Sequence, residues 1–515
     1  MMPDRSASDA QAAVVFGDPQ PALDSACRFD QVQDPVTIVI FGATGDLTGR
    51  MLLPSLGALA SGGHLPENFA VVGTGRTDLS DEAFRERTRQ SLANHGQTDP
   101  GLWEKLAPCL RYHRVDYDDP ATFRTLADFL DALSRDRDLG GNRVFYLAVP
   151  PTAYEAIATN LAVAGLAEET TGYARLVIEK PFGRDLATAK VLEGALHTRF
   201  AEHQIFRIDH YLAKETVQNI LMMRFANTIF EPLWNRRYVD YVSILAAESL
   251  GVEHRASYYD HFGVLRDMFQ NHMLQLLSLC AMEPPSRFLA DLVRDEKSKV
   301  FRSLRPITGN DLAENLVVGQ YGPGTVDGRP AVAYRDEPGV APDSTTPTFA
   351  ALRLYVDNWR WQGVPFLLVS GKRLPAKRTE IAVQFKPVPV SMFRGILGGG
   401  ITANRLILGI QPDEKVSLTF QAKAPGPMCL RSVTMNFNYD QDGTGSTLPA
   451  YARVLLDCLL GDQMLFWRQD GVELSWRFLA PLLDDSPGTA PHPYPAGSFG
   501  PEAAARLMRA HGLVP

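Results

Sequence analysis

Cysteine is scarce in this sequence and nowhere clustered. Cys27, Cys109, Cys280, Cys429 and Cys458 are odd in number and form no C-x-x-C pair. That pattern excludes a disulfide framework and a cysteine-rich zinc site. No H-x-x-x-H pair occurs either, so no metal is expected. G-x-S-x-G is absent, which leaves a serine-hydrolase elbow without support. No apolar run is as long as a bilayer span. The first residues, MMPDRSASDAQAAVV, contain acids and lack a basic stretch before an apolar core, so no signal peptide is expected. Positive charge is in deficit: 51 Lys and Arg stand against 59 Asp and Glu, a net −8. Bulk nucleic acid and anionic membranes are therefore disfavoured as partners, while a local basic pocket remains open. The expected location is the cytoplasm, with no membrane partner.

What is present is the mixture of a folded enzyme. The 515 residues are 45% hydrophobic and 21% charged, a length that suits two or three domains. Residues 1–34 are small, polar and Ala-rich, and are expected to be flexible. Val36-Thr-Ile-Val-Ile-Phe41 is a β-branched run suited to a strand covered on both faces. Further strands are expected at Phe69–Val72, Arg143–Ala148 and Ala174–Ile178, with helical stretches at Met51–Ala60 and from Ser80. Strands alternating with helices over 35–207 predict a Rossmann-like, doubly wound domain in an α/β protein.

From 208 to 515 the pattern changes. Lys214–Ala226 and 263–282 read as helices. Strand-like runs follow at Tyr238–Ala246, Leu316–Gln320, Ala350–Val356, Phe366–Val369, Ile381–Phe385, Asn404–Ile410 and Lys415–Gln421. A larger α+β domain on a mainly antiparallel sheet is expected there, for substrate binding and oligomerisation. Gly322–Pro347 reads as a surface loop. The tail after Ser486 offers only a short helix at Pro501–His511.

Two regions carry chemistry. Gly42-Ala-Thr44-Gly45-Asp46-Leu47 joins a strand to a helix, the context of a dinucleotide-binding turn: glycines let a diphosphate approach, and the helix start faces it. Arg76 follows the second strand, where the adenosine ribose lies in this topology. A positive residue with hydroxyls at Thr74 and Thr77 suits a 2′-phosphate, hence NADP, with NAD possible. The densest polar segment is Arg207-Ile-Asp209-His210-Tyr211-Leu-Ala-Lys214-Glu215. Lys214 is four residues after His210, so both can share a face at a helix start and hold a phosphate with the Tyr211 hydroxyl. A second cluster contains Asp267 and His272, five apart and so not an ideal same-face pair, yet able to point into one cleft from neighbouring turns. Glu248 and Lys372 are further acid and base candidates. His64, His254 and His261 are expected to be structural or exposed.

Taken together, these segments resemble the glucose-6-phosphate dehydrogenase family from residue 35 to 502. The resemblance is carried by Arg207–Glu215, Ile178-Glu-Lys-Pro-Phe-Gly183, Arg224-Phe-Ala-Asn227, Phe230–Arg236, Arg266–His272, Arg294-Asp-Glu-Lys297, Asp357–Trp361, Gly371-Lys-Arg-Leu374, Gln411-Pro-Asp413 and Gly497–Pro501. It implies that His272 is the general base at C1 of the sugar and that Asp209 orients it. It further implies that His210, Tyr211, Lys214 and Lys377 bind a 6-phosphate. Glu248, Asp267 and Lys372 would hold the ring, and Lys180 and Pro150 would line the nicotinamide. The expected partner is a small sugar phosphate, and the expected assembly a homodimer or homotetramer.

The sequence departs from the family at the turn. Gly49 and Met51 stand where it carries lysines, so a positive charge is missing at the centre of the site. Another aldose or sugar phosphate as substrate, or a weakly active homologue with an assembly role, remain alternatives.

Overall fold

Val36–Phe41 is buried along its whole length, which is why its sequence never alternates. In this computed structural model, residues 31–309, 311–393, 401–426, 429–438, 448–484 and 490–509 are described. Most of the segment expected to be flexible, residues 1–30 with Cys27, lies outside them. So does the end of the last expected helix, 510–511.

The first sheet has six parallel strands: β1 (Val36–Phe41), β2 (Phe69–Gly75), β3 (Leu110–Arg114), β4 (Arg143–Leu147), β5 (Ala174–Ile178) and β6 (Ile205–Arg207). Their order is β3-β2-β1-β4-β5-β6. The chain steps outward from β1 to β3, then returns to β4 on the other side of β1. That reversal makes the gap between β1 and β4 the switch point of a doubly wound fold, where ligands bind at the carboxyl ends of the strands. Helices cover both faces. Asp81–Asn94 starts at Ser80, whose hydroxyl accepts from Ala83 N–H, and Asp119 caps Pro120–Arg137. Ala450–Leu460, late in the chain, packs against Leu53–Ser61 and completes the apolar layer on one face.

The second sheet is larger and mixed. It contains β7 (Val239–Ala247), β8 (Leu316–Gly322), β11 (Phe349–Tyr355), β12 (Pro365–Gly371), β13 (Arg378–Phe385), β14 (Arg405–Gln411), β15 (Lys415–Lys423), β16 (Leu430–Asn438) and β17 (His492–Pro495). All neighbours are antiparallel except β7 with β12 and β8 with β17. The expected surface loop at Gly322–Pro347 is more ordered than its composition suggests. It holds a hairpin of β9 (Gly324–Val326) and β10 (Arg329–Ala331), and it buries Tyr334, Glu337 and Ser344. Tyr334 donates to Asp260 at 2.8 Å and Tyr321 to Glu337 at 3.0 Å, so the polar groups of this loop are paired below the surface.

Glu215–Phe225 packs on β14, and Leu274–Ala281, Ala290–Arg302 and Gln469–Asp484 follow it in a chain of helix contacts that ends on Leu186–His197 beside the first sheet. One apolar cluster runs from Val39 and Phe41 of the first sheet to Ile244 and Leu368 of the second. The expected helix over 263–282 runs from Val264 to Ala281 after a break at Gly263 (φ +65°), and Leu265–Met273 within it is wound as a π-helix. Its i→i+5 bonding makes residues five apart near neighbours on one face, and such segments recur at functional sites. Asp267 and His272 are therefore brought to one side, which accounts for a shared cleft at a spacing that suits an ordinary helix poorly. Cys109, Cys280 and Cys458 are buried and Cys429 is exposed, all as thiols. Among the described residues no helix is long and apolar enough to cross a membrane.

Candidate active site

The carboxyl ends of five neighbouring strands carry most of the expected coenzyme residues. Gly42, Thr44, Gly45, Asp46 and Leu47 follow β1, Arg76 follows β2, Pro150 follows β4, Lys180 follows β5 and Asp209 follows β6. Gly42 has φ +82°, and a Cβ there would lie 2.2 Å from the Ala148 carbonyl oxygen. Only glycine lets the loop cross the switch point so closely. Thr48 Oγ1 donates to Gly42 O at 2.9 Å and ties down the turn. Asp46 and Arg50 pair at 3.3 Å on the open rim. Met51 stands in the wide turn Thr48–Leu52 and is 38% exposed.

One expectation on this side fails. Thr74 is buried within β2 and its hydroxyl donates to Ile40 O at 3.2 Å, so it does not face a ribose phosphate. Arg76 and Thr77 are exposed beyond the strand end. A cation the sequence reading missed joins them: Arg87 Nη2 donates to Thr44 O at 3.2 Å. Its position nearly two turns into Asp81–Asn94 gave no sign that it reaches this loop.

At the centre lies a buried dyad. His272 Nδ1 is 2.5 Å from Asp209 Oδ1, and Tyr211 N–H donates to the same oxygen at 3.0 Å. Burial alone pushes the Asp209 carboxyl upward, but His272, His210 and the Tyr211 N–H outweigh it and hold the carboxyl low. Burial lowers His272 below the usual imidazole range, with Asp209 opposing. A neutral ring beside an ionised carboxylate places the proton on Nδ1 and leaves Nε2 as an acceptor. The Tyr211 ring stacks on His272 with centroids 4.1 Å apart, and His210 meets it edge-on at 4.8 Å. Asp209, His210 and His272 bring ligand atoms within 4.8 Å of one another, as a metal site would, but the Asp–His hydrogen bond accounts for that closeness.

Beside the dyad, one end of the second sheet presents a polar row. Gln411 at the end of β14 pairs with Thr379 at the start of β13, and Thr379 lies opposite Ala246 of β7. Lys214 Nζ donates to Gln411 Oε1 at 2.6 Å, and Gln411 Nε2 donates to Thr379 Oγ1 at 2.8 Å. Burial and then the nearby Lys377 charge lower Lys214 to about 8. Lys214 sits in extended conformation just before the helix Glu215–Phe225, so His210 and Lys214 come together through the local turn over 209–214 and not by sharing a helical face. Thr379 and Gln411 went unassigned from sequence because only strand pairing brings them here.

The parallel register of β7 and β12 sets Gly371 beside Ala247 and hence Lys372 beside Glu248, which form an ion pair. Lys180 Nζ donates to Asp267 Oδ1 at 3.1 Å and to Asp267 O at 3.0 Å. Burial pushes Asp267 up, but Lys180, Lys372 and Arg255 hold it well below the ordinary carboxylate range. Behind Lys180, Glu179 accepts from the Tyr146 hydroxyl at 2.7 Å. Burial raises its pKa against the pull of Tyr146, Tyr451 and Lys180. His261 is exposed and His64 half-buried; the His254 side chain is outside the described set.

The chain matches two family models, "Glucose-6-phosphate dehydrogenase, NAD binding domain" over 39–219 and "Glucose-6-phosphate dehydrogenase, C-terminal domain" over 221–514. It is 46% identical over 479 residues to the glucose-6-phosphate 1-dehydrogenase of Aggregatibacter actinomycetemcomitans, covering 93% of this chain and 96% of that one. Against the enzyme of the same description from Bacillus subtilis the identity is 43% over 484 residues, covering 93% and 98%. Among solved structures, a glucose-6-phosphate dehydrogenase in complex with its substrate glucose-6-phosphate superposes with a TM-score of 0.87 at 34% identity, over 95% of this chain and 99% of that one.

Proposed function

This chain belongs to the glucose-6-phosphate dehydrogenase family, and from that premise we propose how the crevice between its two sheets works. The protein is an oxidoreductase that uses a nicotinamide coenzyme and oxidises D-glucose 6-phosphate at C1 to 6-phospho-D-glucono-1,5-lactone, the first step of the oxidative pentose phosphate pathway. The observation that carries the mechanism is the buried Asp209–His272 hydrogen bond, set beyond the carboxyl end of β6 in the first sheet.

His272 Nε2 takes the proton of the C1 hydroxyl as the hydride leaves C1. Asp209 keeps the proton of the resting ring on Nδ1 and stabilises the imidazolium that forms. The nicotinamide, when bound, supplies the acceptor for the hydride. The turn at Gly42 fits such a coenzyme, because the space a Cβ would need is taken by the Ala148 carbonyl and the loop is left bare for a diphosphate. Thr44, Gly45, Asp46 and Leu47 line that loop; Pro150 and Lys180 flank the nicotinamide. His210, Tyr211, Lys214 and Lys377 hold the 6-phosphate, with Thr379 and Gln411 as their supports. Glu248, Asp267 and Lys372 orient the ring hydroxyls. Phosphate binding far from C1 provides orientation energy for the reaction.

The coenzyme we assign is NADP, on Arg76 and Thr77, with Arg87 beside the loop; NAD is the weaker alternative. The assembly we assign is a homodimer or homotetramer in the cytoplasm. Exposed apolar side chains such as Ile229 and Met435 support self-association.

Absorbance at 340 nm tests the reading directly. Reduced coenzyme should accumulate with glucose 6-phosphate and NADP, and no signal with either NADP or NAD would refute the activity. Arg76→Ala should lower kcat/KM for NADP about tenfold and leave that for NAD within about twofold, since one charge-assisted contact to the 2′-phosphate is lost. Equal effects on both coenzymes would remove Arg76 from this role.

Lys214 gives a pH prediction. Its pKa of about 8 leaves it charged below that pH and neutral above it. KM for glucose 6-phosphate should therefore rise as pH passes about 8. Lys214→Gln should raise KM about 10- to 100-fold at pH 7, the cost of one charge-assisted hydrogen bond to the phosphate, and should flatten that alkaline rise. Free glucose, tested as a slow substrate, should show neither effect.

A further inference from the structure

The mechanism above makes no use of Lys297, a buried cation. Lys297 lies on the helix Ala290–Arg302, is 3% exposed, and its Nζ has no hydrogen-bond partner among the described residues. An ammonium buried in this way requires a compensating negative charge nearby.

The helix shows where that charge is. Arg294, Lys297 and Phe301 follow an i, i+3, i+7 spacing and share one face. Arg294 donates to Gln463 at 3.0 Å and stands 4.0 Å from Glu202. Phe301 stacks on Trp467 with centroids 5.5 Å apart, and Trp467 bridges to Arg207 at the end of β6. Both flanks of the face are thus anchored along β6 and its exit, with Lys297 between them. Asp209, two residues past β6, is the strongest opposite charge acting on it.

Asp209 is itself only half committed. Oδ1 accepts from His272 and from Tyr211 N–H, while Oδ2 has no hydrogen-bond partner among the described residues. The other charges facing Lys297 are Arg294 on its own helix, and Arg468 and Asp470 at the start of Gln469–Asp484. Arg294 is matched by Asp291 at 2.5 Å, and Arg468 by Asp470 at 2.8 Å and Asp295 at 2.7 Å. One anion and one cation remain, Asp209 and Lys297, both buried and each with an unpaired end.

We propose that Lys297 is a positioning residue for the oxidation: its ammonium is a further counter-charge on the Asp209–His272 pair, acting on the Asp209 side that His272 and the Tyr211 N–H leave open. This rests on the assignment of Asp209 and His272 above. Burial brings Lys297 down to about 7 against the pull of Asp209, so it carries its proton in the acidic range where His272 titrates. A positive charge near either member of the dyad favours its deprotonated form. Removing that charge raises the apparent pKa of the pair whichever member holds the proton. The other groups facing His272, namely Asp209, Lys180, Asp267 and His210, stay in place.

In Lys297→Met the acid limb of the kcat/KM profile should therefore move up by about one pH unit, with KM for glucose 6-phosphate near the parent value at pH 8. Lys297→Arg should keep the parent limb. An unmoved limb in folded Lys297→Met overturns the proposal. So does an equal displacement in both variants, which would mark a packing effect. A second readout needs no turnover and so separates this proposal from the assigned activity. In thermal unfolding, Lys297→Met should destabilise the parent but not the Asp209→Asn variant; equal losses in the two backgrounds overturn the pairing. Were Lys297→Met not to fold alone, the double variant decides: recovery of folding supports the pair, and continued failure overturns it.

Discussion

His272→Asn is expected to lower kcat for glucose 6-phosphate by about 10²- to 10⁴-fold, the usual contribution of a positioned general base. The amide is close in size to the imidazole edge and can still donate to Asp209, so the buried carboxylate keeps a partner and the fold should survive. It cannot take up a proton at neutral pH. KM should change little, because the residues proposed to hold the phosphate lie on other elements: Lys214 precedes the helix Glu215–Phe225, and its supports Gln411 and Thr379 lie at the end of β14 and the start of β13. The parent enzyme should lose activity as pH falls through a pKa below 6.5, since burial lowers His272 and protonation removes the acceptor at Nε2. In the variant that acid limb should vanish along with most of the rate. Near-parental kcat, or an acid limb that persists unchanged, would take the base assignment away from His272.

That experiment probes a site the sequence displayed only in fragments. Asp209 and His272 are separated by 63 positions and belong to different layers, so no spacing rule joins them; the family resemblance did. The π-helix at Leu265–Met273 shows a limit of spacing arguments. Five residues apart is a poor match for an α-helix, yet the wider winding turns Asp267 and His272 to one side. Lys372 and Glu248 meet through the register of β12 on β7, and Gln411 meets Thr379 through β14 on β13. Such pairs are properties of the sheet, and a single sequence does not contain them.

Strands buried on both faces were the most legible elements, because burial demands uninterrupted apolar runs such as Val36–Phe41. Among the strands not expected, β16 and β17 have the opposite character. β16 is largely exposed, so Leu430–Asn438 keeps polar residues at most positions. β17 is His-Pro-Tyr-Pro, a composition that argues against a strand, and it survives because it lies on the sheet edge beside β8. Thr74 failed for a related reason. Its hydroxyl was read as a ligand group, but β2 runs on to Gly75 and spends that hydroxyl on Ile40.

Arg207→Met should be the most damaging change to stability, at about 3–5 kcal/mol, the cost of breaking a buried ion pair by removing one partner. Arg207 is fully buried at the end of β6. Its Nε and Nη2 meet the two Glu193 oxygens at 2.8 and 2.6 Å, and its Nη1 and Nη2 meet those of Glu202 at 2.9 and 3.0 Å. One guanidinium thus serves two carboxylates in fork geometry, which no lysine can reproduce. Without it, Glu193 keeps, among the described residues, His197 at 3.6 Å as its remaining ion-pair partner, and must protonate or drag water inward. Urea unfolding followed by far-UV circular dichroism should show the loss, and a deficit under about 1 kcal/mol would contradict the burial argument. Arg207→Met with Glu193→Met should recover much of it, because an apolar pair of similar volume carries no stranded charge. Asp209 lies two residues further along the chain. Even where the single variant remains folded, the strand that aims the carboxylate at His272 has lost its anchor. kcat should then fall while KM for glucose 6-phosphate holds, so the same network that stabilises the first sheet also fixes the geometry of the dyad.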